Sequence, residues 1–100
     1  MSKKSLIERE RKRINLFSKY SLLHDDLRKK FKNTNDTSEK LEIYMNLQKL
    51  PRNSFKTRIC NRCWKTGRSR GVIRDFGLSR HVFREMAHQC LLPGITKSSW

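Results

Sequence analysis

Three cysteines and three histidines are the side chains of this chain best suited to hold a metal or attack a substrate. Cys60 and Cys63 stand as Cys-x-x-Cys inside "CNRCWKTG", a spacing that lets two thiolates close on one zinc ion. A closed structural site needs four ligands, and His88 with Cys90 would have to supply the second pair. His88-x-Cys90 is too tight for the usual finger. Cys90 also extends the apolar face of a helix that carries Val82, Phe83, Met86 and Ala87, where a thiol behaves as a small hydrophobe. His81 and His88 sit beside arginines and more simply face phosphate or solvent. Nucleophilic catalysis through Cys63 would need a base, an orienting group and a cleft. The sequence offers no such set, no phosphate-binding glycine loop and no paired carboxylates. No catalytic residue, metal, cofactor or small-molecule substrate is therefore expected.

Charge carries the stronger signal. The 100 residues hold 24 Lys and Arg against 9 Asp and Glu, a formal net charge of +15, with 35% hydrophobic residues. A chain of this kind buries little surface, and ordering each residue costs about 1–2 kcal/mol of backbone entropy. Full order is expected to need a polyanion, nucleic acid before an anionic membrane. No apolar run is long enough to span a bilayer. The opening "MSKKSLIERERKR" reads as neither a signal peptide nor, given Glu8 and Glu10, an organelle presequence. Three cysteines cannot all pair, so reduced thiols are expected.

The elements that must position these charges follow from local pattern. Residues 4–32 lack Pro and Gly and read as a long helix with a thin stripe of Leu16, Tyr20, Leu23, Leu27 and Phe31. A helix this polar lies along something negative or against a partner protein. After "NTND", Asp36 and Glu39 open a second helix, from about Thr37 to Leu50, with Leu41, Tyr44, Met45 and Leu50 on its apolar side and Pro51 ending it. Residues 1–32 hold 11 basic and 4 acidic side chains, residues 33–50 hold 2 and 3, and residues 51–100 hold 11 and 2. Residues 51–74 contain eight basic residues and no acid, and read as an irregular loop anchored by Phe55, Trp64 and Ile73. Its arginines can bind phosphate bidentately, with each neutralised phosphate releasing a counterion. Trp64 either stacks on an unpaired base or pins the loop to the last helix. That last helix has Ser79 as N-cap, with Leu78 and Phe83 placed as a hydrophobic staple. Pro93–Gly94 then turns the chain into a tail ending at Trp100. The expected fold class is mostly α and extended, with little independent core. Residues 1–50 are expected to form a helical extension, and residues 51–100 one nucleic-acid-binding functional unit.

Taken together, "NLQKLPR", "LPRNS", "NRC" with "TGRSRG", "RDFGLSRHVFREMAHQCLLPG" and the closing "SSW" resemble the family of small-subunit ribosomal protein fourteen, in its long form. The resemblance covers the whole chain and is densest over residues 50–100; the opening and tail look most like the plastid branch, with a mitochondrial member as the alternative. It implies a structural role in the head of the small ribosomal subunit, binding small-subunit rRNA and neighbouring proteins three, ten and nineteen. Carried onto this sequence, the rRNA contacts would be Arg52, Lys56, Arg58, Arg62, Trp64, Lys65, Arg68, Arg70, Arg74, Arg80, Arg84 and Lys97. Some members of the family bind zinc through Cys-x2-Cys-x12-Cys-x2-Cys. Those positions here are Cys63, Thr66, Ser79 and Val82, so the chain resembles the zinc-free form and Cys60 lies outside the frame. The competing class is a free-standing nucleic-acid-binding regulator with a zinc finger.

Overall fold

A computed structural model describes residues 2–99; Trp100, where the expected tail ends, lies outside the described residues. In chain order the elements are helix α1 (Lys4–Asn33), helix α2 (Thr37–Gln48), two single-turn 3-10 helices (Arg52–Ser54 and Lys56–Arg58), strand β1 (Val72–Ile73), strand β2 (Leu78–Ser79) and helix α3 (Arg80–His88). The fold is mostly helical, as the sequence leads one to expect. Packing divides it into two units, residues 8–59 and residues 60–100 together with 1–7. No helix among the described residues is long and apolar enough to cross a membrane.

In the unit of residues 8–59, α1 is continuous because nothing in it breaks a helix. Of the apolar stripe expected, Leu16, Tyr20 and Leu27 are half-buried, and the other two positions depart from it. Leu23 is 45% exposed and Phe31 38%, whereas His24 is buried. The reason is a polar partner that the sequence does not place nearby. His24 Nε2 lies 3.0 Å from Ser54 Oγ, and the ring packs on Phe55 with centroids 4.6 Å apart. Ser54 donates its one hydroxyl proton to the Pro51 carbonyl, so Nε2–H of His24 must be the donor to Ser54. The interaction fastens the first 3-10 turn to the middle of α1.

Helix α2 starts as the sequence indicates, with the Asp36 side chain accepting a hydrogen bond from the Ser38 N–H. It ends at Gln48, two residues before the expected end, because Pro51 disfavours helical backbone at Leu50. Its inner face also differs from expectation. Ile43, Leu47 and Leu50 are half-buried, while Leu41, Tyr44 and Met45 are exposed. The Lys40 ammonium sits 5.7 Å from the Phe31 ring centroid and draws the start of α2 to the end of α1.

In the other unit, β1 and β2 form an antiparallel hairpin with Val72 opposite Ser79 and Ile73 opposite Leu78. Residues 74–77 make the turn, closed by a 2.8 Å hydrogen bond from the Gly77 N–H to the Ile73 carbonyl. Ser79 ends β2 and caps α3, its Oγ accepting from the Val82 N–H. The core is small: Cys63, Leu78 and Val82, with Phe76, Phe83, Met86 and Leu92 against it. The staple pair Leu78 and Phe83 belongs to this cluster. Cys90 departs from expectation: α3 ends at His88, and Cys90 lies beyond it, exposed, with a left-handed φ of 56°. The chain reverses there, and a hydrogen bond from the Leu91 N–H to the Met86 carbonyl closes the helix end.

The buried His24 makes the first unit sensitive to acid. Burial, and then the nearby Arg28, hold its pKa below 6.5, against a smaller opposing pull from Asp25. Below pH 6.5 the unfolded chain therefore binds this proton more readily than the folded one, and stability falls as pH falls. Amide exchange over residues 52–58, corrected for intrinsic rates, should be faster at pH 5.5 than at pH 7.5 and should slow again on return to neutral pH. Equal protection at both values would contradict the role given to His24.

Candidate nucleic-acid interface

The positively charged surface of residues 60–100 is built on a knot around Cys63. The Cys63 N–H donates to the Arg68 carbonyl at 2.9 Å, and the Gly67 N–H donates to the Cys63 carbonyl at 2.8 Å, so residues 63–68 form a tight turn. Gly67 takes a φ of +77°, and a Cβ there would stand 2.8 Å from Ile7. The N-terminal residues close over this turn: Ser2 donates from its N–H to the Thr66 carbonyl at 3.2 Å and from its hydroxyl to the Gly67 carbonyl at 2.8 Å.

Cys63 itself is 2% exposed. Burial pushes its thiol pKa up, but hydrogen bonds from the Thr66 hydroxyl and from the N–H groups of Ser79, Thr66 and Lys65 outweigh it and bring the pKa down from 9.0 to about 6. The buried Thr66 hydroxyl meets no other partner, so its contact to sulfur is of the weak kind that thiols make. The four positions of the zinc frame thus converge. Cys63 is bonded by Thr66 and Ser79, Ser79 caps at Val82, and Val82 packs in the same core as Cys63. They do not fit a zinc ion, because one thiol, two hydroxyls and a valine cannot supply a closed set of thiolate or imidazole ligands. Cys60 is exposed while Cys63 is buried, and among the described residues no three His, Cys, Asp or Glu gather as a metal site.

Around this knot the expected contact residues lie outward. Lys65, Arg68, Arg70, Arg74, Arg80, Arg84 and Lys97 are exposed; Arg62 is half-buried and donates to the Gly67 carbonyl at 2.9 Å. Arg68 Nε bonds the Arg70 carbonyl at 3.2 Å, which orders the pair along one strip of backbone. Arg62 and Arg74 line one open cleft of about 280 Å³, and Arg84, His88 and Lys97 line another of about 220 Å³. Arg68 and His81 meet at a third, of about 460 Å³, beside Thr66 and Ser79. His81 and His88, which the sequence leaves facing phosphate or solvent, are exposed here beside these cations. Arg52, Lys56 and Arg58 are exposed on the unit of residues 8–59, where Arg58 donates to Asn53 at 2.9 Å. Among the described residues, Arg52, Lys56, Arg58, Lys65, Arg68, Arg70, Arg74, Arg80, Arg84 and Lys97 are in no ion pair, and Arg11 with Glu8 and Arg13 with Glu10 pair within α1.

Trp64 is not pinned to the last helix, one of the two arrangements expected for it. Its indole N–H donates to the Phe76 carbonyl at 3.2 Å and its backbone N–H to the Gly77 carbonyl, so it is pinned to the hairpin turn and not to α3. The ring is nevertheless 69% exposed, which leaves a face open for stacking.

The family model described as ribosomal protein S14p/S29e matches residues 46–99, the stretch that contains the knot, the hairpin and α3. The chain belongs to the ribosomal protein S14p/S29e family. Full-length similarity agrees. Small ribosomal subunit protein uS14c of Phaeodactylum tricornutum is 69% identical over 100 residues, covering all of both chains. The proteins of the same description from Guillardia theta and Trieres chinensis are 63% and 62% identical over the same span. This S14 chain is accordingly a structural, non-enzymatic ribosomal protein of the plastid type, and the zinc-finger regulator is not supported.

The three thiols of this S14 chain should be told apart by alkylation. In the native protein at pH 8, iodoacetamide should add to Cys60 and Cys90, and Cys63 should react after denaturation. Three adducts under native conditions would show that the knot is open. Because the folded Cys63 pKa lies below its unfolded value, its contribution to stability should be full above pH 9 and lost as pH falls through about 6.

Proposed function

We propose that this protein neutralises and clamps rRNA in the head of the small subunit through Arg52, Lys56, Arg58, Arg62, Lys65, Arg68, Arg70, Arg74, Arg80, Arg84 and Lys97, with Trp64 stacking on an unpaired base. One observation carries the reading: in a member of the S14 family, residues 51–100 hold eleven cations, nearly all exposed, against two carboxylates, Asp75 and Glu85. Phosphate supplies the missing anions, and releasing counterions supplies the driving force. The core of Cys63, Leu78 and Val82 is too small to do more than hold the turn, hairpin and α3 in register, so rRNA completes the order of the chain. Residues 51–100 act as one rRNA-binding unit and residues 1–50 as a helical extension; this functional division follows charge and not packing. The neighbours in the subunit head are proteins three, ten and nineteen.

Sedimentation tests the reading. The endogenous protein should stay with plastid small subunits through a high-salt wash, and release to the top of the gradient would overturn the assignment of an integral role. In binding assays with small-subunit rRNA, about eight phosphate contacts should give a slope of log affinity on log salt near −6 to −7. Arg68→Glu should weaken binding about tenfold and flatten that slope by about one. A slope near zero would exclude a phosphate-dominated interface.

A further inference from the structure

The start of the chain belongs by packing to the unit of residues 60–100. Ser2 and Gly67 stand 65 positions apart in sequence, yet the Ser2 hydroxyl donates to the Gly67 carbonyl at 2.8 Å. The Arg62 guanidinium donates to the same carbonyl at 2.9 Å. One oxygen thus holds both the head of the chain and an arginine. The Ser2 N–H donates to the Thr66 carbonyl at 3.2 Å, and Ile7 closes over Gly67 so tightly that a Cβ there would lie 2.8 Å from it. Ser2 and Arg68 also line one cleft of about 460 Å³, together with His81 and the carboxylate of Glu85.

Lys3 and Lys4 follow Ser2 directly and are exposed. Consecutive Cα atoms are about 3.8 Å apart, so both ammonium groups are tethered beside the turn that carries Lys65 and Arg68. Neither lysine is in an ion pair among the described residues, and Glu8, further along α1, is engaged by Arg11. Their place does nothing for the helix. Cations at a helix N-terminus oppose its macrodipole, and the first turn of α1 holds no acidic residue.

We propose that residues 2–4 are part of the rRNA-binding surface: Lys3 and Lys4 each take a phosphate beside those of Lys65 and Arg68, and Ser2 is the positioning residue that holds these cations together. Gathering four like charges at one turn is unfavourable in the free chain, and a phosphate backbone reverses the sign of that interaction. An ammonium group binds phosphate as a point charge, so Lys3 and Lys4 add attraction without demanding a fixed geometry. Ser2 acts in two directions. It brings two cations from the head of α1 to the turn, and it fixes the carbonyl on which Arg62 is aligned. The binding unit is therefore discontinuous in sequence.

The inference rests on the reading of the protein as an rRNA clamp, and the test separates the two. Binding of the full chain to small-subunit rRNA is measured across a salt series. Lys3→Gln with Lys4→Gln should flatten the slope of log affinity on log salt by about two, one contact for each lysine. Ser2→Ala should flatten it by about one, because Arg62 and the two lysines lose their alignment, and Ser2→Thr, which keeps the hydroxyl, should restore it. A residue that only stabilised the fold would lower affinity at every salt concentration and leave the slope unchanged. The wild-type slope in either the lysine double variant or Ser2→Ala overturns the inference, while a steep wild-type line keeps the rRNA reading intact. A wild-type line without slope overturns both.

Discussion

The residues 60–100 depend on how one sulfur atom is held. Cys63 opens the turn of residues 63–68 beside the hairpin, and donors from Lys65 and Thr66 in the turn and from Ser79 at the end of β2 converge on it. A thiol buried without such donors would be a small hydrophobe. Here it gathers N–H groups that a core of Cys63, Leu78 and Val82 has no other means to satisfy. The turn at Gly67, the closure by Ser2 and the cap at Ser79 all become intelligible as ways of keeping those donors aimed inward. The cations are thereby turned outward without needing a large core beneath them.

This arrangement suits a protein whose main opposing force is its own charge. Net charge of +15 disfavours compaction, so the chain spends its few apolar groups on the junction of elements and leaves long helix surfaces to solvent or partners. In the unit of residues 8–59 the same economy appears as the His24–Ser54 contact, a single buried polar link that ties the 3-10 turn to α1. Such links are specific but costly if broken, since each leaves a buried donor or acceptor unpaired.

Much of the helical layout was legible in the sequence because its signals are local. The absence of breakers defined α1, Asp36 opened α2, and Ser79 with Leu78 and Phe83 marked the start of α3. What depends on distant residues was not. His24 replaced Leu23 in the buried stripe because its partner is thirty positions away. The hairpin of Val72–Ile73 with Leu78–Ser79 is too short to show an alternating pattern. Cys90 continued the helical period on paper, yet α3 ends at His88 and the chain reverses at Cys90 itself. For the interface, composition located the cations, but which of them share a cleft, as Arg62 does with Arg74, follows from the turn and hairpin together.

Ser79 carries one further consequence. It pairs with Val72 in the hairpin, donates its N–H to the Cys63 sulfur and lends its hydroxyl to the start of α3. Strand register and helix onset are thus decided at the same residue. A slip of one position would set Arg80 opposite Val72, turn the buried side of β2 outward and strip α3 of its cap in a single step. Partial structures in which the hairpin forms without the helix, or the helix without the hairpin, gain little. The segment consequently folds as one cooperative block, with an error at Ser79 felt at every element it joins.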